Sequence, residues 1–293
     1  MKRLLIFISL LFLVKCTLIS INKQKIFSVY LKPENIYNGE IVILNFENLK
    51  KNRTYKLELH SNRIYKYRII PENKFTTFFL GIPLNSPSIV KLILKENNEV
   101  IWEQKIKLMS KKIDISKVIV KQKYVRPPRK FLSRIKKEAE LIQKAKKIYS
   151  SAVYFKGKPV FPIEGGRITT PFGYKRIYNH SKESIHYGTD IAALKGTPIK
   201  SIFAGRVILI GNFYYTGYTV FINHGKGIIS MYAHLSKIYV KEGDFVEKSQ
   251  IIGTVGDTGR VTGPHLHISV YVNQVSVDPM CLYTLFGDGA KLY

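Results

Sequence analysis

Two short stretches of this sequence carry side chains that could bind a metal ion. His265 and His267 are two residues apart in the strand-like segment Pro264-His265-Leu266-His267, so their side chains lie on one face of a strand, while Leu266 points into a core on the other. Upstream, His186 and Asp190 are four residues apart, and a turn or strand end can bring such a pair together. Together these side chains offer three or four of the nitrogen and oxygen ligands that zinc prefers.

The second half of the chain must position these residues, and its pattern is β-rich. From Phe161 onward, short apolar segments alternate with glycine-containing turns, which predicts an antiparallel sheet with a groove built by loops around the histidines. No long helix is expected after residue 150. The predicted strands are Arg206–Ile210, Tyr218–Ile222, Ile228–Tyr232, Gln250–Val255 and His267–Tyr271.

The first half predicts a separate β-sandwich. Between residues 25 and 122, short alternating segments follow one another at a spacing of about ten residues, as in sandwich domains of the immunoglobulin type. Turn signals such as Asn38-Gly39 and Pro71-Glu72-Asn73 separate them. The predicted strands are Phe27–Leu31, Ile41–Phe46, Tyr55–Leu59, Tyr65–Ile69 and Val90–Leu94.

A basic amphipathic helix is predicted to link the two halves over residues 127–150. Pro127 and Pro128 end the strand pattern, and the apolar residues that follow recur at helical spacing with lysines between them. The helix is expected to pack on the sandwich or on the second domain. Binding to a membrane surface is the alternative.

The charge of the chain restricts its partners. The sequence has 47 Lys and Arg against 20 Asp and Glu, a net charge of +27, and residues 1–150 hold 32 of the basic and 11 of the acidic residues. A basic surface favours polyanions, which for an exported protein means cell-wall polymers or anionic membrane rather than nucleic acid. A general compositional bias toward lysine is the other explanation of the charge.

The N-terminal sequence has the pattern of an export signal. Lys2 and Arg3 precede the apolar run Leu4–Val14, which has the form of a secretory signal and is short for a transmembrane helix. Leu13-Val14-Lys15-Cys16 resembles a lipoprotein box, although Lys15 stands where a small residue is usual. Two alternatives stay open for residues 1–16, a plain signal peptide and a lipoprotein signal with membrane attachment through Cys16. The expected location is the periplasm or cell envelope. Once Cys16 is removed or acylated, Cys281 has no partner for a disulfide.

A series of motifs in fixed order gives the second half a family resemblance. The chain resembles the lysostaphin/LytM-type zinc endopeptidases, which cut the peptides of bacterial peptidoglycan, and the resemblance covers residues 161–280. The preceding sandwich and helix resemble a subgroup with an N-terminal immunoglobulin-like domain. The motifs are Phe172-Gly173, His186-Tyr-Gly-Thr-Asp190, Ala204-Gly205, Asn223-His224-Gly225, Tyr232-Ala-His234-Leu235, Gly243-Asp244, Gly253-Thr-Val-Gly256 and Thr262-Gly-Pro-His265-Leu-His267.

The resemblance implies a role for five residues. His186, Asp190 and His267 match the zinc ligands of the family, and His265 and His234 match its catalytic histidines. Three protein ligands leave a position open for water, and zinc lowers the pKa of that water and polarises the scissile carbonyl. His265 is the expected general base, with His234 sharing the proton transfer or stabilising the oxyanion. Binding of zinc by His265 as a fourth ligand, and substrate contact by His180, are alternatives.

The sequence thus predicts a mainly β protein with an immunoglobulin-like sandwich, a basic linker helix and a C-terminal zinc peptidase domain over residues 155–285. The predicted function is that of an exported zinc metalloendopeptidase acting on peptidoglycan cross-links. One alternative is a wall-binding or amidase-activating module that keeps the fold without turnover, and another is a structural metal or sugar-binding domain.

Overall fold

The computed structural model describes residues 28–72 and 74–287. It is mainly β, in antiparallel sheets, as the sequence predicts. The predicted signal, with Cys16, lies outside the described residues. Within the described part of the chain, no helix combines the length and the apolar composition that crossing a bilayer requires.

The N-terminal strands form two antiparallel sheets, ordered β1-β2-β5 and β4-β3-β6-β7. Their inward side chains enclose one apolar cluster that includes Leu44, Phe46, Leu57 and Leu92, the arrangement of a β-sandwich. The seven strands are β1 (Ser28–Lys32), β2 (Ile41–Glu47), β3 (Tyr55–His60), β4 (Ile64–Ile69), β5 (Phe75–Gly81), β6 (Ile89–Glu96) and β7 (Glu99–Lys107).

The segment between the two halves, residues 115–146, contains a short strand and one long helix. We call it the linking segment. Strand β8 (Ile115–Val118) is followed by a 3₁₀ turn (Gln122–Tyr124) and helix α1 (Arg129–Lys146). The helix starts directly after Pro128, whose missing N–H costs nothing at a helix start. Ala145 and the partly buried Ile142 contact an apolar patch of the second half, so the helix packs on the second half, one of the two expected surfaces.

The C-terminal half is built on a ten-stranded antiparallel sheet, beside a three-stranded sheet ordered β11-β10-β8. Strand β8 pairs with β10 in parallel, so the linking segment contributes a strand to this half. The remaining elements are β9 (Arg167–Thr170), β10 (Lys175–Tyr178), β11 (Lys182–Ile185), β12 (Thr189–Ala192), β13 (Pro198–Lys200), β14 (Gly205–Phe213), β15 (Gly217–Gly225), β16 (Ile228–Ile238), β17 (Phe245–Val246), β18 (Ile251–Val255), β19 (His265–Val272), β20 (Val275–Val277) and α2 (Cys281–Leu285).

The sandwich and the large sheet share one apolar core. Phe79 of β5 lies with its ring centroid 5.6 Å from that of Phe155 and 6.1 Å from that of Phe286. Ile41 and Ile43 of β2 belong to the same buried cluster. The sandwich is therefore packed against the sheet and not joined to it by the linking segment alone.

The two faces of β19 have different surroundings. Leu266 is fully buried in the shared core, as predicted. His265, His267 and Tyr271 alternate with it and lie on the opposite face, which we call the front face. Ala145 of α1 covers the Tyr271 end of the front face and leaves the histidine end to the surrounding loops.

Candidate metal centre

Three of the predicted site residues meet at one point. His186 directly follows β11, Asp190 lies in β12, and the antiparallel register sets Asp190 directly opposite His267 of β19. Nε2 of His186 lies 2.9 Å from Oδ1 of Asp190 and 3.0 Å from Nδ1 of His267. Nδ1 of His267 lies 2.8 Å from the same Oδ1. We call these three residues the His-Asp-His group.

The turn between His186 and β12 has room for the group only because it contains glycine. A Cβ atom at Gly188 would lie 2.5 Å from Cε1 of His267, closer than two carbon atoms can approach. Any other residue at position 188 would displace the His267 ring.

The second nitrogen of each imidazole is also bonded. Nδ1 of His186 lies 2.9 Å from the carbonyl oxygen of Pro171, to which it must donate. Nε2 of His267 lies 2.9 Å from Oγ of Ser269, and this hydroxyl donates in turn to the carbonyl of Tyr187 at 2.7 Å. These bonds assign the protons to the outer nitrogens and leave Nε2 of His186 and Nδ1 of His267 with free lone pairs.

The electrostatics of the group suit metal ligands. Burial disfavours charge on the Asp190 carboxyl, but the close approach of the polar His186 and His267 rings outweighs it and holds its pKa well below the usual range. Burial lowers the pKa of His267 to about 4, against the opposing bond to Asp190. The group therefore contains an ionised carboxylate beside a neutral His267 imidazole at neutral pH.

The donor set fits zinc. The two imidazole nitrogens and the one carboxylate oxygen all lie within 4.8 Å of one another, and two histidines with one carboxylate are a common ligand set of zinc in hydrolases. Three protein ligands are typical of a catalytic zinc site, since they leave a coordination position for water or substrate. Among the described residues, His265 is not a member of the group.

His265 and His234 flank the group. Their ring centroids are 4.9 Å apart, and His234 lies 5.9 Å from the ring of His267. Nε2 of His265 is 3.9 Å from Oδ1 of Asp190. His265 reaches this place by strand alternation, whereas His234 reaches it through an irregularity in β16.

The irregularity in β16 places two successive side chains on one face. His234 has a φ of +66°, and β16 shifts register between Tyr232 and Leu235 and again between Leu235 and Lys237. Tyr232 and Leu235 enter the shared core, and Ala233 and His234 lie on the front face. Bulges often redirect a side chain next to a functional site in this way.

Both flanking histidines present Nε2 to the site. Nδ1 of His234 donates to the carbonyl of Thr258 at 2.7 Å, and Nδ1 of His265 donates to the carbonyl of Gly263 at 2.8 Å. Burial, together with the neighbouring His265 and His267, lowers the pKa of His234 well below its ordinary value. A neutral His234 with a free Nε2 can accept a proton, as a general base must.

Arg176 is a further residue at the site, to which the sequence motifs assigned no role. Its guanidinium contacts Oδ2 of Asp190, and its Nε atom is buried without a hydrogen-bond partner among the described residues. Arg176 belongs to the run Gly173-Tyr-Lys-Arg176, but nothing in the sequence separates it from the neighbouring Lys175, which pairs with Glu183 at 2.8 Å.

The loops on the two sides of the site are joined through Arg260. Its guanidinium carbon lies 4.2 Å from the ring centroid of Tyr178 and 4.9 Å from that of Tyr215. The linking segment also touches both sides, because Val120 bonds to Asn179 and the carbonyl of Lys123 accepts a bond from Tyr214. These contacts connect the loops on both sides of the site. His186 and Asp190 lie deep within it, with fractional exposures of only 3% and 5%.

The remaining histidines lie elsewhere. His180 is exposed in the turn between β10 and β11, and no contact in the described chain links it to the His-Asp-His group. His224 is fully buried, with Nδ1 2.8 Å from the carbonyl of Ala204 and Nε2 2.7 Å from Oγ of Ser230. His60 ends β3 and pairs with Glu58 at 2.9 Å.

Comparison with known proteins identifies the family of the second half. Residues 184–279, which hold all five predicted site residues, match the model of peptidase family M23. A solved structure from Pseudomonas aeruginosa, described as an M23 peptidase, is 30% identical with a TM-score of 0.62, and the match covers 84% of this chain and 94% of that one.

Curated relatives match over about two fifths of the chain. The peptidoglycan DD-endopeptidase ShyA of Vibrio cholerae is 41% identical over 122 residues, which are 41% of this chain and 28% of the relative. Lysostaphin of Staphylococcus staphylolyticus is 40% identical over 128 residues, which are 40% of this chain and 27% of the relative. The matched segment thus spans less than a third of either relative.

Proposed function

Because this chain belongs to peptidase family M23, whose members are zinc-dependent peptidases, we propose that it hydrolyses peptide cross-links of bacterial peptidoglycan. The observation that carries the proposal is the His-Asp-His group with two further histidines beside it. Relatives named as peptidoglycan endopeptidases support the substrate class.

His186, Asp190 and His267 are the residues that would hold the zinc ion. Bound there, zinc would supply a water molecule of lowered pKa and polarise the carbonyl of the scissile bond. The carbonyl of Pro171 and the hydroxyl of Ser269 keep the two imidazoles in the tautomers that ligation needs.

His265 and His234 are the residues that would move protons. Each has a Nε2 atom without a hydrogen-bond partner among the described residues and a Nδ1 atom fixed by a backbone carbonyl. Of the two, we propose His265 as the general base, since its Nε2 lies nearer to the ligand Asp190. The proton that His265 takes from the water would pass on to the leaving amine, and His234 would share this proton transfer at its own Nε2 or, once protonated there, donate to the oxyanion.

We further propose that the protein acts outside the cytoplasm, in the periplasm or cell envelope. The support is the run Lys2-Arg3-Leu4 to Val14, which has the composition of an export signal. Membrane attachment through an acylated Cys16 is the finer form of this proposal. Metabolic labelling with a radioactive fatty acid tests it, because label must appear in the natural chain and be absent after Cys16→Ala.

The direct test is digestion of purified sacculi by the full chain. We expect cross-linked muropeptides to disappear, a chelator to stop the reaction, and added zinc to restore it. Mass spectrometry of the products identifies the bond that is cut. Zinc-loaded protein that binds sacculi and releases nothing would overturn the hydrolase proposal in favour of a binding or activating module.

A further inference from the structure

A cavity of about 660 Å³ lies outside the His-Asp-His group. It is bounded by edge strand β4 and the β5–β6 connection of the sandwich, by the C-terminal turn of α1, and by the β19–β20 turn of the large sheet. None of the five predicted site residues lines it. All three parts of the chain must be assembled to form it.

The lining of the cavity is basic. Arg63, Lys66 and Lys146 contribute to it, and its lining residues include no Asp or Glu. The ammonium of Lys146 lies 4.2 Å from the ring centroid of Tyr271 and forms no ion pair among the described residues. Burial lowers the pKa of Lys146 to about 8. A lining with three basic side chains and no acidic one favours an anionic ligand.

Tyr67, one of the residues that line the cavity, carries a polar group without a partner. Oη of Tyr67 is buried and has no hydrogen-bond partner in the described chain, which is an unfavourable state for a hydroxyl. Tyr67 lies in β4, which pairs only with β3 among the described strands. The outer edge of a strand offers free backbone groups to a peptide.

The cavity is adjacent to the His-Asp-His group. His267 and Tyr271 are four residues apart on the front face of β19, so Lys146 lies about 13 Å along the strand from His267 at the usual rise of about 3.3 Å per residue. Tyr187, the residue after His186, lines the cavity as well. An extended peptide of about four residues spans this distance.

We propose that the cavity is a second substrate site, which binds the carboxylates of a peptidoglycan stem peptide while another part of the same strand lies at the His-Asp-His group. The inference rests on the proposed function for the identity of the ligand. The basic side chains would pair with carboxylates, and Oη of Tyr67 would find a partner in the bound peptide.

The test is isothermal titration of the zinc-loaded full chain carrying His265→Ala, which we expect to prevent turnover. The probes are a soluble tetrapeptide stem with free carboxylates and the same peptide with its carboxylates amidated. We expect Lys146→Met, and separately Arg63→Gln, to weaken binding of the free-carboxylate probe roughly tenfold, the usual effect of losing one charge-assisted bond. Amidation should weaken binding by a similar factor, and Lys146→Arg should largely restore it.

Lys137→Met is the matched control, since Lys137 is exposed on the same helix. Tyr67→Phe separates a binding role from a structural one, because it should weaken peptide binding while leaving the unbound chain equally or more stable. Equal affinity of the natural chain and the three cavity variants for the free-carboxylate probe would overturn the proposal. Digestion of sacculi by the chain without His265→Ala is scored independently, so failure of the cavity proposal is distinguishable from failure of the proposed function.

Discussion

The guanidinium of Arg176 contacts Oδ2 of Asp190, while His186 and His267 both contact Oδ1 of the same carboxylate. One oxygen is thus directed toward the histidines, and the other is occupied by a cation from β10. A carboxylate held in this way presents a single oxygen to a metal ion. Arg176 is therefore a positioning residue for the metal centre.

Loss of Arg176 is expected to weaken zinc binding. Arg176→Gln frees the Asp190 carboxylate to rotate, and removal of an outer contact of this kind typically costs roughly 10- to 100-fold in metal affinity. Competition with a fluorescent zinc chelator measures the change. Lys175→Gln is the matched control, because Lys175 pairs with Glu183 and does not contact Asp190. Equal zinc affinities for the two variants would contradict the role of Arg176.

Loss of His265 or His234 is expected to separate turnover from metal binding. His265→Ala and His234→Ala should each retain about one zinc ion per chain and lose roughly 10²- to 10⁴-fold in the rate of cross-link cleavage, the usual contribution of proton transfer. Zinc content by mass spectrometry and initial rates on sacculi measure both quantities. His180→Ala, at an exposed turn, should change neither. Loss of zinc from the His265 variant would instead make His265 a ligand.

The pH dependence of stability should contain a contribution from His224. Burial lowers its pKa from 6.5 to about 4, so the unfolded chain takes up the proton first as the pH falls. The contribution of neutral His224 is fully present above pH 6.5 and is lost as the pH falls toward 4. By linkage it amounts to about 3 kcal/mol.

His224→Gln should therefore flatten the stability curve of the zinc-free chain between pH 6.5 and 4. Urea unfolding at several pH values measures this change. His267 and His234 titrate with the same sign, so the quantity to compare is the difference in slope between the variant and the natural chain. Parallel curves would contradict the assignment.

The shared core predicts that the sandwich and the large sheet unfold together. Phe79→Ala removes a buried ring that contacts Phe155 and Phe286 and should lower the free energy of unfolding by roughly 3 to 5 kcal/mol. Scanning calorimetry should show one transition for the natural chain and a single, lower transition for the variant. Ile64→Ala, at a half-exposed position of β4, is the control. Two separate transitions in the natural chain would mean that the halves are independently stable.

The sequence predicted the mainly β architecture and the helix start because both depend on local patterns. Alternation located β2, β3, β4 and β6 to within about two residues at each end. It missed β5 and β7, where Thr76, Thr77 and the charged residues of Glu99–Lys107 mask the alternation. The packing of Phe79 on Phe155 was not predictable, since alternation identifies a buried face but not its partner.

Motif order and spacing predicted that His186, Asp190, His265 and His267 lie together in one site. The approach of His234 depends on the positive φ and the register shift in β16, which no local pattern signals. The family resemblance supplied that residue. The contact of Arg176 with Asp190 was not predictable, because it depends on the pairing of β10 with its neighbours, which is a long-range property of the fold.

Zinc content and muropeptide release, measured on the same preparations of the natural chain and His267→Ala, decide whether the His-Asp-His group is a catalytic zinc site. We expect about one zinc ion per natural chain, with release of un-cross-linked muropeptides that a chelator abolishes, and the loss of both in the variant. His180→Ala should behave as the natural chain. A natural chain that binds no zinc, or a His267→Ala chain that cleaves at the natural rate, would contradict this role of the group.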